Sequence, residues 1–162
     1  GVGGAPGGIS FGLKQIFKDQ VHCFFVEPVQ APCMLLGLAT GLNNEICVQD
    51  IGLTGKTQAD GLAVGRPSAF VGGIMKKMLS GEMTVEDYRL SEYLKDLMET
   101  EKIFLEPSAC AGFRGPVCIS NDVEAKKYLE TNGLKNKMKN AVHIVWATGG
   151  SLVPQEIRGM YL

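Results

Sequence analysis

No hydrophobic run in the chain approaches the roughly 18–20 residues that a membrane-spanning helix needs, and the N-terminus lacks the charged-then-apolar layout of a signal peptide. Both absences point to a cytoplasmic protein and away from a membrane partner. Charge of one sign is also lacking: 16 Lys and Arg face 17 Asp and Glu, for a net charge of -1. The tightest basic group is Lys135, Lys137 and Lys139, so the footprint of a nucleic-acid binder is missing. Five cysteines (Cys23, Cys33, Cys47, Cys110, Cys118) form no C-x-x-C pair and would leave one over in any full disulfide scheme, which favours reduced thiols in a reducing compartment. Cys110 and Cys118 read as small buried hydrophobes. The two histidines, His22 and His143, lie in apolar strand-like runs and read as hydrogen-bonded core residues, not catalytic bases.

What the chain has in abundance is glycine, 21 of 162 residues, against a typical ~7%. With 45% hydrophobic and 20% charged residues it is otherwise of ordinary globular composition, long enough for one domain spanning 1–162 with a real core.

Helical and strand-like patterns alternate along it. After the glycine loop at 1–8, Ile9, Leu13, Ile16 and Phe17 recur at helical spacing, and residues 21–26 form a short apolar, β-rich run. A second helix is expected from Pro32 through Leu38, ended by Gly41. Residues 61–64 read as a short apolar stretch, after which Ser68 can cap a helix carrying Phe70, Val71, Ile74, Met75, Met78 and Leu79. The clearest helix follows Thr84, with Leu90, Tyr93, Leu94, Leu97 and Met98 on one stripe and Glu86 and Asp87 in its first turn. Residues 103–105 read as a brief strand, 123–129 as a helix, and 142–147 as the last strong strand, running into Thr148-Gly149-Gly150. This alternation predicts an α/β layered domain with a mostly parallel sheet.

The opening Gly1-Val2-Gly3-Gly4-Ala5-Pro6-Gly7-Gly8 suits phosphate, because small residues let backbone N–H groups converge on the oxygens while a following helix adds favourable partial charge. It is not a common nucleotide loop, since Pro6 occupies the last glycine of a G-x-G-x-x-G and no Gly-Lys-Ser/Thr follows. A flexible terminus or a cloning scar is the alternative at this level.

In order, GVGGAPGG, VHCFFVEP, QDIGLTGKTQADGLAVGRPS, FLEPSACAGF and HIVWATGG resemble successive blocks of the D-serine dehydratase family, within the fold-type II enzymes that use pyridoxal phosphate. Threonine dehydratases share the glycine loop, the ADG-x-AV block and the EPS-A block. The longer VHCFFVEPVQAPCMLLG and the terminal WATGG resemble D-serine dehydratases more narrowly.

The resemblance implies a three-layer, mostly parallel α/β fold of the tryptophan synthase β type, present in part. It implies that backbone N–H groups of Gly3, Gly4, Ala5, Pro6 and Gly7 hold the cofactor phosphate, although Pro6 has no N–H and its neighbours must donate. Ala5 stands where a glycine is often found. Thr148 is placed opposite the pyridine nitrogen, where its hydroxyl can donate to an unprotonated ring. A monovalent cation, potassium or sodium, is implied beside the Glu27 carboxylate and the Cys33 main-chain oxygen, with a capping or loop-bracing role for Glu27 equally open. Asp60 and Glu106 read as loop-bracing carboxylates beside the site. The implied reaction is β-elimination of D-serine to pyruvate and ammonia, in an enzyme that is monomeric when whole. Its Schiff-base lysine would precede the phosphate loop, and no lysine of this chain lies in a matching block. The chain is therefore expected to require a preceding segment and to be inactive alone. The alternatives are an L-serine or L-threonine dehydratase fragment, or a non-catalytic domain that binds a phosphate ligand.

Overall fold

Two short parallel strands organise the chain in a computed structural model that describes residues 3–161. Gly1 and Val2, which open the glycine loop, and Leu162 lie outside the described residues. Strand β1 (Phe24–Pro28) pairs with β2 (Gly81–Val85), in a register running from Phe24 opposite Gly81 to Pro28 opposite Val85. Parallel strands need a long crossover. Here it carries helices α2 (Cys33–Thr40) and α3 (Ala69–Met75).

Side chains alternate across a strand, so the two faces of this sheet build two cores. Phe25 packs with Cys33, Met34, Val48, Val71 and Met75 on one side. Val26 and Val85 pack with Ala59, Leu90 and Ala111 on the other. Burial of both faces produces the layered α/β arrangement expected from the alternation of elements. Helix α4 (Asp87–Thr100) uses its apolar stripe to extend the second side: Leu90 joins that core, while Leu94 packs with Leu105, Ala109 and Cys110 around α5 (Pro107–Cys110).

Several boundaries differ from expectation. Helix α1 runs Gly4–Phe17, so it starts inside the glycine loop and not at Ile9. Gly3, at φ +82°, makes the turn into it, a conformation open to glycine because it has no Cβ. β1 begins three residues later than the apolar run and takes in Glu27 and Pro28. β2 was not expected at all, because Gly81 and Glu82 hide its period-two pattern. The 61–64 stretch is not a strand; a 3-10 turn at Asp60–Leu62 occupies it. Helices α5 and α6 (Arg114–Asn121) fill a stretch for which no helix was expected, with Pro107 and Pro116 in their first turns, where a missing N–H costs nothing. Helices α7 (Val123–Thr131) and α8 (Gln155–Arg158) complete the order.

Residues 103–105 and 142–147, both read as strands, join no ladder among the described residues. Val142, Ile144 and Trp146 are 84%, 78% and 60% exposed, and His143 is exposed, contrary to the core position expected of it. His22 is hydrogen-bonded as expected, its Nδ1 2.5 Å from the Tyr128 hydroxyl, but it is only partly buried and not a core residue.

Gly7 sets how α1 lies on α3. It is buried, and a Cβ there would stand 2.8 Å from Val71 Cγ1. Val71 cannot swing aside cheaply, since a β-branched side chain in a helix has one strongly preferred rotamer. Gly7→Ala should therefore destabilise by about 1–2 kcal/mol, an overpacking cost exceeding the gain in helix propensity of at most about 1 kcal/mol. In a Val71→Ala background the sign should invert, with Gly7→Ala stabilising. Urea unfolding of the four proteins of this cycle checks both signs.

Candidate functional site

The first turn of α1 is the phosphate-like element of the sequence. Its initial N–H groups have no intrahelical acceptor, as in any helix. Gly4 and Ala5 are exposed and have no N–H partner among the described residues, whereas the Gly7 N–H donates to the Gly3 carbonyl at 3.2 Å. Pro6 offers no donor. Of the five positions expected to touch a phosphate, Gly4 and Ala5 thus present open N–H groups, Gly3 aims them, and Gly7 serves packing. Ala5 is accommodated because positive φ is required at Gly3 and not at Ala5. An anion at this helix terminus gains from both the free donors and the helix dipole.

The ADG, EPS and TGG blocks meet at a second place. The Gly61 N–H donates to Ser108 Oγ at 3.0 Å, and the Ser108 hydroxyl donates to Asp60 Oδ1 at 3.2 Å. Asp60 also accepts from the Gly61 N–H at 2.8 Å, so it braces its own turn. The Glu106 N–H donates to the Gly149 carbonyl at 3.2 Å. Gly150, at φ +129°, lies so close to this segment that a Cβ would stand 2.6 Å from Leu105 Cα. Thr148 is exposed at the start of this turn. No hydrogen bond links the turn at 148–150 to Gly3–Gly7. Ser108 is the residue that the motif reading missed, although the EPS block contained it.

Glu27 is fully buried at the end of β1. Its carboxylate accepts the Met34 N–H at 3.1 Å and the Leu35 N–H at 2.9 Å, with the Cys33 thiol 3.7 Å away. It is a long-range cap for α2. Burial raises its pKa, opposed by these two N–H bonds. Glu27 and Cys33 are together as expected, but both carboxylate oxygens are turned to the helix. Among the described residues, no group of three or more His, Cys, Asp or Glu is arranged to hold a metal ion. A potassium or sodium ion there gains no support from this geometry. Burial, with the adjoining Glu27 charge, pushes the Cys33 thiol up to about 12, and burial pushes Cys110 and Cys118 up to about 11. None of the three is a ready nucleophile at neutral pH.

Comparison with protein families matches residues 1–130 to the family described as pyridoxal-phosphate dependent enzyme. Among curated proteins, the chain is 56% identical over 161 residues to a "Probable D-serine dehydratase" of Geobacillus stearothermophilus, covering 99% of this chain and 35% of that protein. It is 58% identical over 156 residues to one of Halalkalibacterium halodurans, covering 96% of this chain and 35% of the relative. The chain thus spans about a third of the length of the curated relatives it matches. Among solved structures, the processed form of threonine deaminase isoform 2 from Solanum lycopersicum aligns with a TM-score of 0.64 at 21% identity, over 99% of this chain and 39% of that one. Maize serine racemase aligns at 0.61 and 18% identity, over 96% and 42% of the two chains. These structural likenesses establish the fold.

Glu82 was not singled out in the sequence. Both of its carboxylate oxygens are buried without a hydrogen-bond partner, on the Phe25 and Glu27 side of the sheet. Burial, and then the Glu27 charge, raise its pKa to about 8. The folded chain therefore keeps a proton that the unfolded chain releases near 4.5. Folding takes up that proton, so stability should fall as pH rises from about 4.5 towards about 8. Glu82→Gln should raise the melting temperature at pH 8 and flatten the profile across this window, while leaving stability at pH 4 nearly unchanged. Thermal melts of both proteins across that range check the sign.

Proposed function

The chain belongs to the pyridoxal-phosphate dependent enzyme family, and from that premise we propose that it is part of an enzyme that converts D-serine to pyruvate and ammonia, the water lost from Cα and Cβ being taken up again when the imino product hydrolyses. The observation carrying this reading is the agreement between 56% identity to a probable D-serine dehydratase along nearly the whole chain and a helix terminus with two open N–H donors at the glycine loop. The five free thiols fit a cytoplasmic setting.

Pyridoxal phosphate, once bound, supplies the electron withdrawal that acidifies the substrate Cα. This chain's own contribution is anchoring and polarity. Gly4 and Ala5 donate N–H groups to the phosphate, aimed by the positive φ of Gly3. Thr148, exposed at the start of the 148–150 turn, would hold the ring nitrogen of the cofactor by donating its hydroxyl, and a ring kept unprotonated in this way would supply a weaker electron sink, suited to loss of a β-hydroxyl. The Asp60, Ser108 and Glu106 bonds hold the intervening loops to the turn that bears Thr148. Lys14, Lys18 and Lys56 stand outside any lysine motif of the family, so the lysine that carries the cofactor belongs to another part of the enzyme.

Supplied with pyridoxal phosphate and D-serine, the 162-residue chain should release no pyruvate, and release would overturn that assignment. In the full-length protein, pyruvate should form from D-serine in preference to L-serine, and 2-oxobutyrate from L-threonine should be minor. Gly3→Ala should weaken cofactor binding roughly tenfold, because it misaims two charge-assisted bonds. Thr148→Val should lower kcat roughly tenfold with little change in cofactor affinity. Spectroscopic cofactor titration and a coupled pyruvate assay separate the two effects.

A further inference from the structure

A second polar cleft, of about 470 Å³, opens at the other end of α1. Lys14 from α1, Asp19 and His22 from the run into β1, Lys77 beyond α3, Tyr128 on α7 and Lys137 line it. Three lysines and one aspartate are among its lining residues, and none of the three lysines is ion-paired to a described residue. Lys14 is ten residues along the helix from Gly4, about 15 Å at the α-helical rise. His22 and Ser80, which also lines the cleft, precede β1 and β2, so the cleft sits at the opposite end of the sheet from Glu27.

We propose that this cleft is a second anion site, separate from the α1 N-terminus, that takes a small phosphorylated molecule bearing two or more negative charges. Unpaired lysines around a concave polar space form a field that a compact polyanion relieves, and lysine binds phosphate as a point charge. The volume exceeds what a single phosphate fills and falls within the range of small-molecule sites. His22 is its built-in reporter. The Tyr128 hydroxyl fixes one ring nitrogen, and burial, then Lys14, then Lys137 press the imidazole towards its neutral form, with Asp19 opposing. A bound anion cancels the lysine contribution, so His22 should take up a proton as the site fills.

This inference does not depend on the proposed activity, and its failure is read separately. Inorganic pyrophosphate is the probe, titrated into the whole 162-residue chain at constant ionic strength and followed by NMR of the His22 ring and the Gly4 and Ala5 amides. Saturable movement of the His22 resonances with a higher titration midpoint is the expected result. Lys14→Gln combined with Lys137→Gln should weaken this response roughly tenfold while leaving any Gly4 and Ala5 shifts intact. Gly3→Ala should do the reverse. These surface substitutions leave both cores untouched, and the thermal melt of each variant verifies folding. A response confined to Gly4 and Ala5, an absent or non-saturable response at His22, or equal affinity in the doubly substituted chain would each overturn the proposal. An equal response to sulfate at matched charge would overturn the assignment to phosphoryl ligands.

Discussion

One buried carboxylate ties the sheet to its helical cover. Glu27, next to the last residue of β1, has no exposed surface, and burial alone would drive it towards the neutral form. Two N–H groups at the start of α2 oppose that, and the positive end of the helix dipole favours the anion in the same place. The helix it holds has only eight residues and no acidic side chain in its first turn, so Glu27 supplies the negative charge that its own sequence lacks. From there the dependence runs outward. Placing Cys33 and Met34 under Phe25 forms the core that also receives Val71 and Met75. Val71 in turn leaves room for nothing larger than Gly7, which fixes α1 and with it the aim of the Gly4 and Ala5 N–H groups. A carboxylate 23 residues beyond Gly4 thereby positions a helix end with two open N–H groups without touching it.

The parts of this arrangement that were legible in the sequence are those written in short-range chemistry. The stripe through Leu90, Leu94 and Leu97 announced α4, Ser68 announced the start of α3 through its bond to the Val71 N–H, and Gly41 announced the end of α2. The ADG, EPS and TGG blocks announced a site and do meet through Ser108 and Gly149. What was not legible depends on distant partners. Glu82 looks like a surface acid in sequence, and only pairing opposite Phe25 turns it inward. Helix α1 could not be traced back to Gly4 from periodicity, because glycine carries no side chain to show it. Glu27 was open between ion ligand and cap, and nothing local to it reveals that Met34 and Leu35 stand above it.

The segments at 103–105 and 142–147 separate two requirements that a strand combines, a suitable sequence and a partner edge. Val142, His143, Ile144, Trp146 and Ala147 are all exposed and only Val145 is half-buried, near Gly112, so the alternation of a half-buried strand is lost where no ladder stands beside the run. A β-branched, apolar run is thus a local property of the sequence, whereas strand identity needs a neighbouring edge in register. The carboxyl ends of these same two segments do meet, through the Glu106 N–H on the Gly149 carbonyl and the close approach of Gly150 to Leu105. That joint needs one hydrogen bond and a glycine, not a ladder. Thr148 lies exposed directly before this joint. The polar blocks can therefore be positioned by glycine contacts whose geometry is short-range, which is why they are readable as motifs when the strands that carry them are not.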